Sequence, residues 1–528
     1  MKVNEVFKFS FVKVLNFDKA MLPIILLCLF YVFKAINFPI HDFANYYFGG
    51  KFLTDGTFNT NIYFPYYFNK NIANLGYNEI FVSYAPNTPF LALTFLPFSF
   101  LEIHAAKIIF NCISTLLFLV SIYKLFSFYK VEFKFILLVP ILFFVPIKNE
   151  LLFGQVYFLL FFLLTEFCLA YEKKQLKKAA VYLSIAIVLK VFPIVLLFIF
   201  IFKKQFKNLF YCLGFCALWL GISILFTGAD VLIFYIQKVV TKASNGEISE
   251  AFVTNYQSVF MFLKELLVFD SLENSNSFFN NPVLFSSLVS GFKIALMAIG
   301  YYVTKKISNQ LFVFSYWIAT SILLSPYGST YTFILLIFPF VFLAKSEISS
   351  LKKMIFIVFL LLICNLPIAL FISNQFPFSY LRLLFLLLFF GLFISLIYHK
   401  INWKTISLCI ICALLFVMIN GKNEINNSNY LNTKNPPILI YDYKIENNNL
   451  TYFYWNEKGE NKKKMKIEVQ SLQNLQLKNN QLFLHNKQLT FDNSNKLKPV
   501  LINNKTIIYM SDSDKGIGFY SLKKITIN

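Results

Sequence analysis

The chain has 528 residues, of which 58% are hydrophobic, 19% aromatic and only 14% charged, with a mean hydropathy of +0.62. So little charge excludes a soluble globular protein, and apolar runs that approach the roughly 30 Å thickness of a hydrocarbon core recur from Met21 to Asn420. The net charge of +22 does not point to nucleic acid, because the lysines sit in short clusters between apolar runs, such as "EKKQLKK" and "FKKQFK", as in cytoplasmic loops.

At the N-terminus Lys2, Lys8, Lys13 and Lys19 precede "MLPIILLCLFYVFKAINF". No small-x-small cleavage site follows, so this run reads as an uncleaved first span that the positive-inside rule orients with its far end outside the cell. It delivers His41 and Asp42 to the outer surface, at the head of residues 39–87, a loop rich in Tyr, Phe, Asn and Gly. That loop is too aromatic for a flexible linker and too polar to span, which fits a structured loop on the membrane. Two roles are open for Asp42. Its carboxylate can cap the amphipathic stretch "FANYYFGGKFL", which contains Tyr46, or, partly desolvated near a bilayer, it can act as a general base.

Further lysine clusters at 124–134, 173–178, 203–207, 305–306, 345–353 and 400–404 belong inside. From Lys207 onward, spans near 208–226, 283–303, 309–325, 330–344, 354–373, 378–398 and 405–420 alternate properly and leave the tail outside. Residues 179–202 lie between two inside clusters and cannot cross once, so they are expected to form a broken hairpin turning at "LKVFP", with Pro193 interrupting the helix and Lys190 at depth. The stretch 86–101, with Pro86, Pro89 and Pro97, raises the same difficulty and is expected to be partly re-entrant. The expected fold is an α-helical polytopic membrane domain, 1–420, of about 11–13 membrane helices. After it, Asn-rich residues 421–437 read as a linker, and 438–528 show short alternating runs split by Asn, Asp and Gly, the pattern of a small β-rich domain outside the membrane. The lone arginine, Arg382, among so many lysines reads as the codon bias of an AT-rich genome.

Four more segments carry polar groups to the outer face. In "NELLFGQVYFLLFFLLTEF" Gln155 opens an apolar helix, as a packing amide or as a ligand contact. Lys190 costs about 2.5–3.5 kcal/mol at mid-span, so a phosphate partner competes with snorkelling as its explanation. "TNYQSVFMFL" offers Asn255, Gln257 and Ser258, the last equally suited to cap a helix, and "LLSPYGSTYTFILLIFPF" turns through Ser325, Tyr327, Ser329 and Tyr331. The eight cysteines lie in or at the ends of apolar segments without metal spacing, so neither disulfide, metal nor cofactor is expected. One acid, one buried cation, several amides and many aromatics suit a sugar held against a phosphate.

The order of these motifs, "HDFANYYFGGKFLTDGTFNTNIY", "FGQVYFLLFFLLTEF", "AAVYLSIAIVLKVFPIVLLF", "NYQSVFMFL" and "LLSPYGSTYTFILLIFPF", resembles glycosyltransferase family 87 across roughly residues 20–420. That resemblance implies a GT-C-type fold and inverting transfer of a hexose, mannose-like, from a polyprenyl-phosphate donor to an envelope glycan or glycolipid acceptor, outside a bacterial cytoplasmic membrane. It also implies Asp42 as base and Lys190 near the donor phosphate, with His41, Tyr46, Gln155, Asn255, Gln257 and Ser258 around the pocket. Members often carry a histidine in the outer turn after Ser-Pro. This chain has "SPYGSTYTF", so Tyr327 or Tyr331 is expected to stand in. The rival function is a lipid-linked sugar flippase or polysaccharide transporter, although the mid-span positions are nearly bare of charge and no internal symmetry is visible. A purely structural role, with the β-rich tail docking envelope partners, ranks third.

Overall fold

The computed structural model describes residues 19–527 apart from 41, 248, 421–427, 432–436, 438, 457–458, 468–474, 493 and 503–504. His41, Lys2, Lys8, Lys13 and most of the 421–437 linker therefore lie outside the described residues. Among those described, six helices are long and apolar enough to cross a bilayer: Lys19–Ile36, Ile103–Phe128, Phe206–Thr227, Pro282–Lys306, Phe378–Ser395 and Trp403–Asn420. A further pair, Lys134–Leu142 and Phe144–Phe153, is bent by 62°, and Pro89–Phe100, Phe192–Phe202, Gln310–Leu324 and Thr330–Lys345 are shorter apolar helices. Proline explains much of the shortness. Pro89 and Pro97, Pro193 and Pro339 lie within three of the four, and Pro326 follows the other, each without an N–H to continue the ladder.

Both stretches that failed to alternate turn back on themselves. The helix Leu176–Leu189 stops at Lys190, whose backbone is extended at φ −141°, and the chain returns through Phe192–Leu196 and Leu197–Phe202. At the base of this hairpin Tyr171 Oη donates to Gln205 Oε1 at 2.9 Å, so the two lysine clusters flanking it share a side and Lys190 occupies the tip. The segment Pro89–Phe100 starts beside that tip, where Thr88 Oγ1 donates to the Val188 carbonyl at 2.8 Å. It ends at Leu101, whose carbonyl accepts from Tyr47 Oη at 2.8 Å. Both of its ends lie on the side of the helix Phe43–Thr54, so it re-enters rather than crosses.

Arg382 is buried rather than incidental. Its Nη1 donates to Thr330 Oγ1 at 3.0 Å and its Nη2 to the Leu366 carbonyl, tying the turn before Thr330 to the end of the helix Ser350–Asn365. A buried guanidinium demands such partners.

Beyond Asn420 the chain is entirely strands and turns where described. One antiparallel sheet has the order β1–β10–β9–β8, with β1 at Ser428–Tyr430, β8 at Lys496–Ile502, β9 at Thr506–Ser511 and β10 at Ser521–Thr526. β1 falls within the stretch expected as linker. A second sheet, β2–β3–β4, comprises Leu439–Glu446, Asn449–Asn456 and Gly459–Lys466, and a third, β5–β6–β7, comprises Leu475–Lys478, Gln481–Leu484 and Lys487–Gln488. Asn447 and Asn448 between β2 and β3, and Asn479 and Asn480 between β5 and β6, all have positive φ, the geometry that tight hairpins require and asparagine tolerates. Ile440, Leu450, Tyr452, Ile508, Met510 and Leu522 form the main core of this domain.

This domain docks on the loop region of the bundle. Tyr66 stacks on Tyr441 with ring centroids 3.9 Å apart, and Trp455 lies against Phe81. Lys242 pairs with Asp512 at 3.2 Å and with Glu247 at 3.0 Å, and Lys515 pairs with Glu273 at 2.9 Å. Gly518, at φ +76°, passes so close to Phe64 that a Cβ there would meet the ring at 2.9 Å.

Candidate active site

Asp42 immediately precedes the helix Phe43–Thr54, yet its side chain makes no capping bond. The carboxylate instead accepts a hydrogen bond from Gln155 Nε2, and Gln155 Oε1 accepts from Tyr46 Oη at 2.6 Å. Of the two roles open from sequence, capping is not the one the geometry uses. The turn that carries Gln155 depends on Gly154, which ends the helix Phe144–Phe153 at φ +67°. A Cβ on Gly154 would lie 2.9 Å from the Phe43 Cβ, so glycine serves both the left-handed backbone and the close approach of the two helix ends. Glu150 secures the same turn from behind: its carbonyl accepts from Gln155 N at 3.0 Å, and its Oε1 accepts from Phe158 N at 2.8 Å.

Across from Asp42, the hairpin tip presents Lys190. Its ammonium donates to Asn87 Oδ1 at 3.1 Å and lies 5.5 Å from the Tyr46 ring centroid. Asp42 and Glu150 are the carboxylates whose charge it feels. Asp42, Tyr46, Gln155, Lys190, Tyr327 and Tyr331 all line one cavity of about 690 Å³. Tyr331 packs against Tyr157, with centroids 5.1 Å apart, and Tyr327 Oη donates to the Ala243 carbonyl at 2.6 Å.

The segment 255–258 is placed differently from the expectation. Asn255 is exposed, and neither it, Gln257 nor Ser258 is among the residues lining the cavity. Buried Gln257 donates through Nε2 to the carbonyls of Thr254 and Ser379 at 2.9 and 3.0 Å. Ser258 Oγ donates to the Pro326 carbonyl at 2.7 Å and accepts from Met261 N at 3.2 Å, capping the helix Val259–Leu267. These residues prop the outer turn from behind. Gly328 allows the contact, since a Cβ there would come within 2.4 Å of the Gln257 carbonyl oxygen. Their neighbour Tyr256 does face the cavity, edge-on to Tyr327 at 5.5 Å.

Burial pushes the Tyr256 phenol up to about 12, with the Asp42 carboxylate adding to the effect. Burial likewise raises Tyr327, and it raises the carboxyl of Glu250 on the cavity wall with the help of nearby Glu273. The phenols therefore stay protonated at neutral pH; Tyr327 gives its proton to the Ala243 carbonyl, which leaves Tyr256 to donate to a bound oxygen.

A second cavity of about 290 Å³ adjoins the first and shares Pro86, Tyr157, Lys190 and Tyr327 with it. Its remaining walls are mainly apolar, including Phe192, Val195 and Leu324, with the one further cation of Lys293. Val191 and Ile194 in its lining are 36% and 45% exposed, so it reaches the surface of the bundle. Among the described residues no group of three His, Cys, Asp or Glu side chains could hold a metal ion.

Sequence reasoning passed over Asn87, Glu150, Tyr157, Glu250, Tyr256 and Phe519. Glu150 had the clearest signal, as an ionisable group inside an apolar helix. Asn87 and Tyr256 adjoin motifs that were read. Phe519 lies in the tail domain, and nothing in its local sequence ties it to the cavity it lines.

Residues 85–326 match the model of glycosyltransferase family 87. The helical bundle with its small antiparallel sheets fits a GT-C-like membrane protein of that family. Gln155 and Lys190 lie inside the matched stretch, whereas Asp42, Tyr46, Tyr327 and Tyr331 lie outside it. No curated protein matches the chain significantly.

Proposed function

We propose that the chain, whose residues 85–326 match the family 87 model, is a multi-pass membrane glycosyltransferase of that family, and that it moves a hexose, mannose-like, from a polyprenyl-phosphate donor to an envelope glycan or glycolipid acceptor, with inversion at the anomeric carbon. The observation that carries this reading is the meeting of the Asp42 carboxylate and the Lys190 ammonium on a cavity, walled also by Glu79 and Glu250, that continues into a mainly apolar groove. A lipid phosphate needs such a groove for its chain and a cation where the groove meets the polar chamber. The acceptor needs only the chamber.

In the proposed step the acceptor hydroxyl enters the larger cavity and Asp42 takes its proton. The oxygen attacks the anomeric carbon, the bond from that carbon to the phosphate oxygen breaks, and polyprenyl phosphate departs with the bonding pair. Lys190 offsets the charge gathering on that phosphate, an effect greatest where water is scarce. Gln155 holds the base: by donating to one carboxylate oxygen and accepting from Tyr46 it fixes the orientation in which the other oxygen can reach a hydroxyl. The reading puts the cavity and the β domain, 438–528, on the extracytoplasmic side of a bacterial cytoplasmic membrane. Purified protein incubated with polyprenyl-phosphate hexoses and membrane extract tests it. Label is expected to pass into an acceptor with native protein and not with D42N, and turnover unchanged in D42N would remove the base from the mechanism.

A further inference from the structure

A third cavity, of about 310 Å³, lies between the segment 235–247 and the β domain. We propose that it is a second saccharide subsite, holding sugar units of the acceptor that lie beyond the hydroxyl reacting at Asp42. The proposal rests on the glycosyl-transfer reading above and names the acceptor as an oligosaccharide rather than a single sugar or a lipid alcohol.

The lining chemistry points to a ligand rich in hydroxyls. The bundle contributes Gln237 and Asn245, and the β domain contributes Asn479, Asn480 and Asn495. Planar amides offer a donor and an acceptor side by side, which matches the paired hydroxyls of a sugar ring. Among the described residues the one large apolar side chain on the wall is Ile517, which disfavours a lipid or an apolar peptide. Lys238 and Lys242 share the wall with the carboxylates of Glu247, Asp492 and Asp514, so acids outnumber cations and an anionic ligand is disfavoured.

Part of the wall is fixed and part is open. Asn480 Nδ2 donates to Asn495 Oδ1 at 3.2 Å, Asn495 Nδ2 donates to Asp512 Oδ2 at 2.8 Å, and Gln481 Nε2 donates to the Asp492 carbonyl at 2.6 Å. By contrast the side chains of Gln237, Asn245 and Asn479 make no hydrogen bond among the described residues, and all three are exposed at the cleft. The framework is set in advance while three amides remain for a ligand, an arrangement that lowers the ordering cost of binding.

The position of the cleft links it to the catalytic cavity. Glu247 lines the cleft and Ser249 the cavity, and on the facing domain Ile517 lines the cleft and Phe519 the cavity. On both sides the chain passes from one space to the other in two residues, at most about 7 Å of extended backbone. The partition is anchored by Lys242, whose ammonium donates to the Asp512 and Lys515 carbonyls at 2.8 and 2.7 Å. An acceptor chain leaving the Asp42 chamber meets the amides next.

The test uses the full-length protein in detergent, with mannohexaose and maltohexaose as probes against the corresponding methyl monosaccharides. Calorimetric affinity is expected to be about ten-fold higher for at least one hexasaccharide than for its monosaccharide, and to lose that gain in N245A/N479A, as for two hydrogen bonds to a neutral ligand. Q237W, which fills the cleft from a helix without touching the hairpin, is expected to remove the same gain, and thermal unfolding reports whether either variant is folded. Affinity that ignores chain length, absence of binding, or a gain that survives in both folded variants overturns the subsite. The same titration in D42N separates the two proposals. A chain-length gain kept in a D42N protein that no longer transfers supports both, whereas transfer persisting in D42N breaks the reaction reading and leaves the binding result standing.

Discussion

The cavity in the bundle and the β domain beside it are built on opposite principles. In the bundle, the groups that would do the chemistry are tied to one another by side-chain hydrogen bonds among apolar helices: Asp42 is met by Gln155, Gln155 by Tyr46, and Lys190 by Asn87. Where the β domain meets the bundle, ion pairs and amides are abundant, and the side chains of Gln237, Asn245 and Asn479 at the cleft make no hydrogen bond among the described residues. A carboxylate and an ammonium held on the wall of one chamber place chemistry there. A surface that leaves amides open is shaped for recognition. The family match reinforces the division, since it covers 85–326 and stops far short of the tail.

If the division is right, the largest losses come from the chamber. D42N keeps the hydrogen bond from Gln155 possible but removes the base, so transfer is expected to fall by about 10²–10⁴-fold with donor binding retained, measured as label moved into acceptor and as donor bound in parallel. K190M removes the charge opposite the leaving phosphate while nearly preserving volume, and kcat is expected to fall by about 10²–10³-fold. Q155A leaves the carboxylate in place but free to turn, for which about a ten-fold loss in kcat with little change in KM is expected. If Q155A proved as damaging as D42N, Gln155 would be more than a positioning residue and the account of the chamber would need redrawing.

How much of this was legible in the sequence follows the same boundary. Span positions, the hairpin at "LKVFP" and the gathering of Asp42, Gln155 and Lys190 at one cavity could be read because a membrane makes every charge costly and every proline visible. The β-rich nature of the tail could be read because the Asn-Asn turns punctuate short alternating runs. Two things could not. Gln257 and Ser258 looked like ligands because capping and packing use the same side chains as sugar binding, and only their bonds to Ser379, Pro326 and Met261 separate the cases. The approach of Phe519 to the chamber was invisible, because it depends on contacts hundreds of residues apart, such as Tyr66 with Tyr441 and Lys242 with Asp512. Arg382 was misjudged in the opposite direction, since the residue read as a compositional accident is buried and hydrogen-bonded to Thr330 and Leu366.

Smaller effects are expected where the two regions meet. Lys242 is buried against the tail. Burial opposes its charge, yet Asp512 and Glu247 hold its pKa above the ordinary lysine value. K242M leaves those carboxylates without their cation and is expected to weaken docking by about 3 kcal/mol, read as protease cleavage near the 421–437 segment. Tyr66→Ala removes the stack on Tyr441, the edge contact with Trp455 and an exposed hydrogen bond to Glu460, together worth about 1.4 kcal/mol, and should raise the undocked population about ten-fold. The comparison of the two variants carries the argument. If the β domain merely covers the chamber, transfer to a monosaccharide acceptor and to an oligosaccharide acceptor should fall together as docking weakens. If it supplies recognition, the oligosaccharide should lose more, and the gap should widen from Tyr66→Ala to K242M because Lys242 also holds the partition between cleft and chamber. Equal losses in both variants would make the tail a lid and return all substrate selection to the bundle.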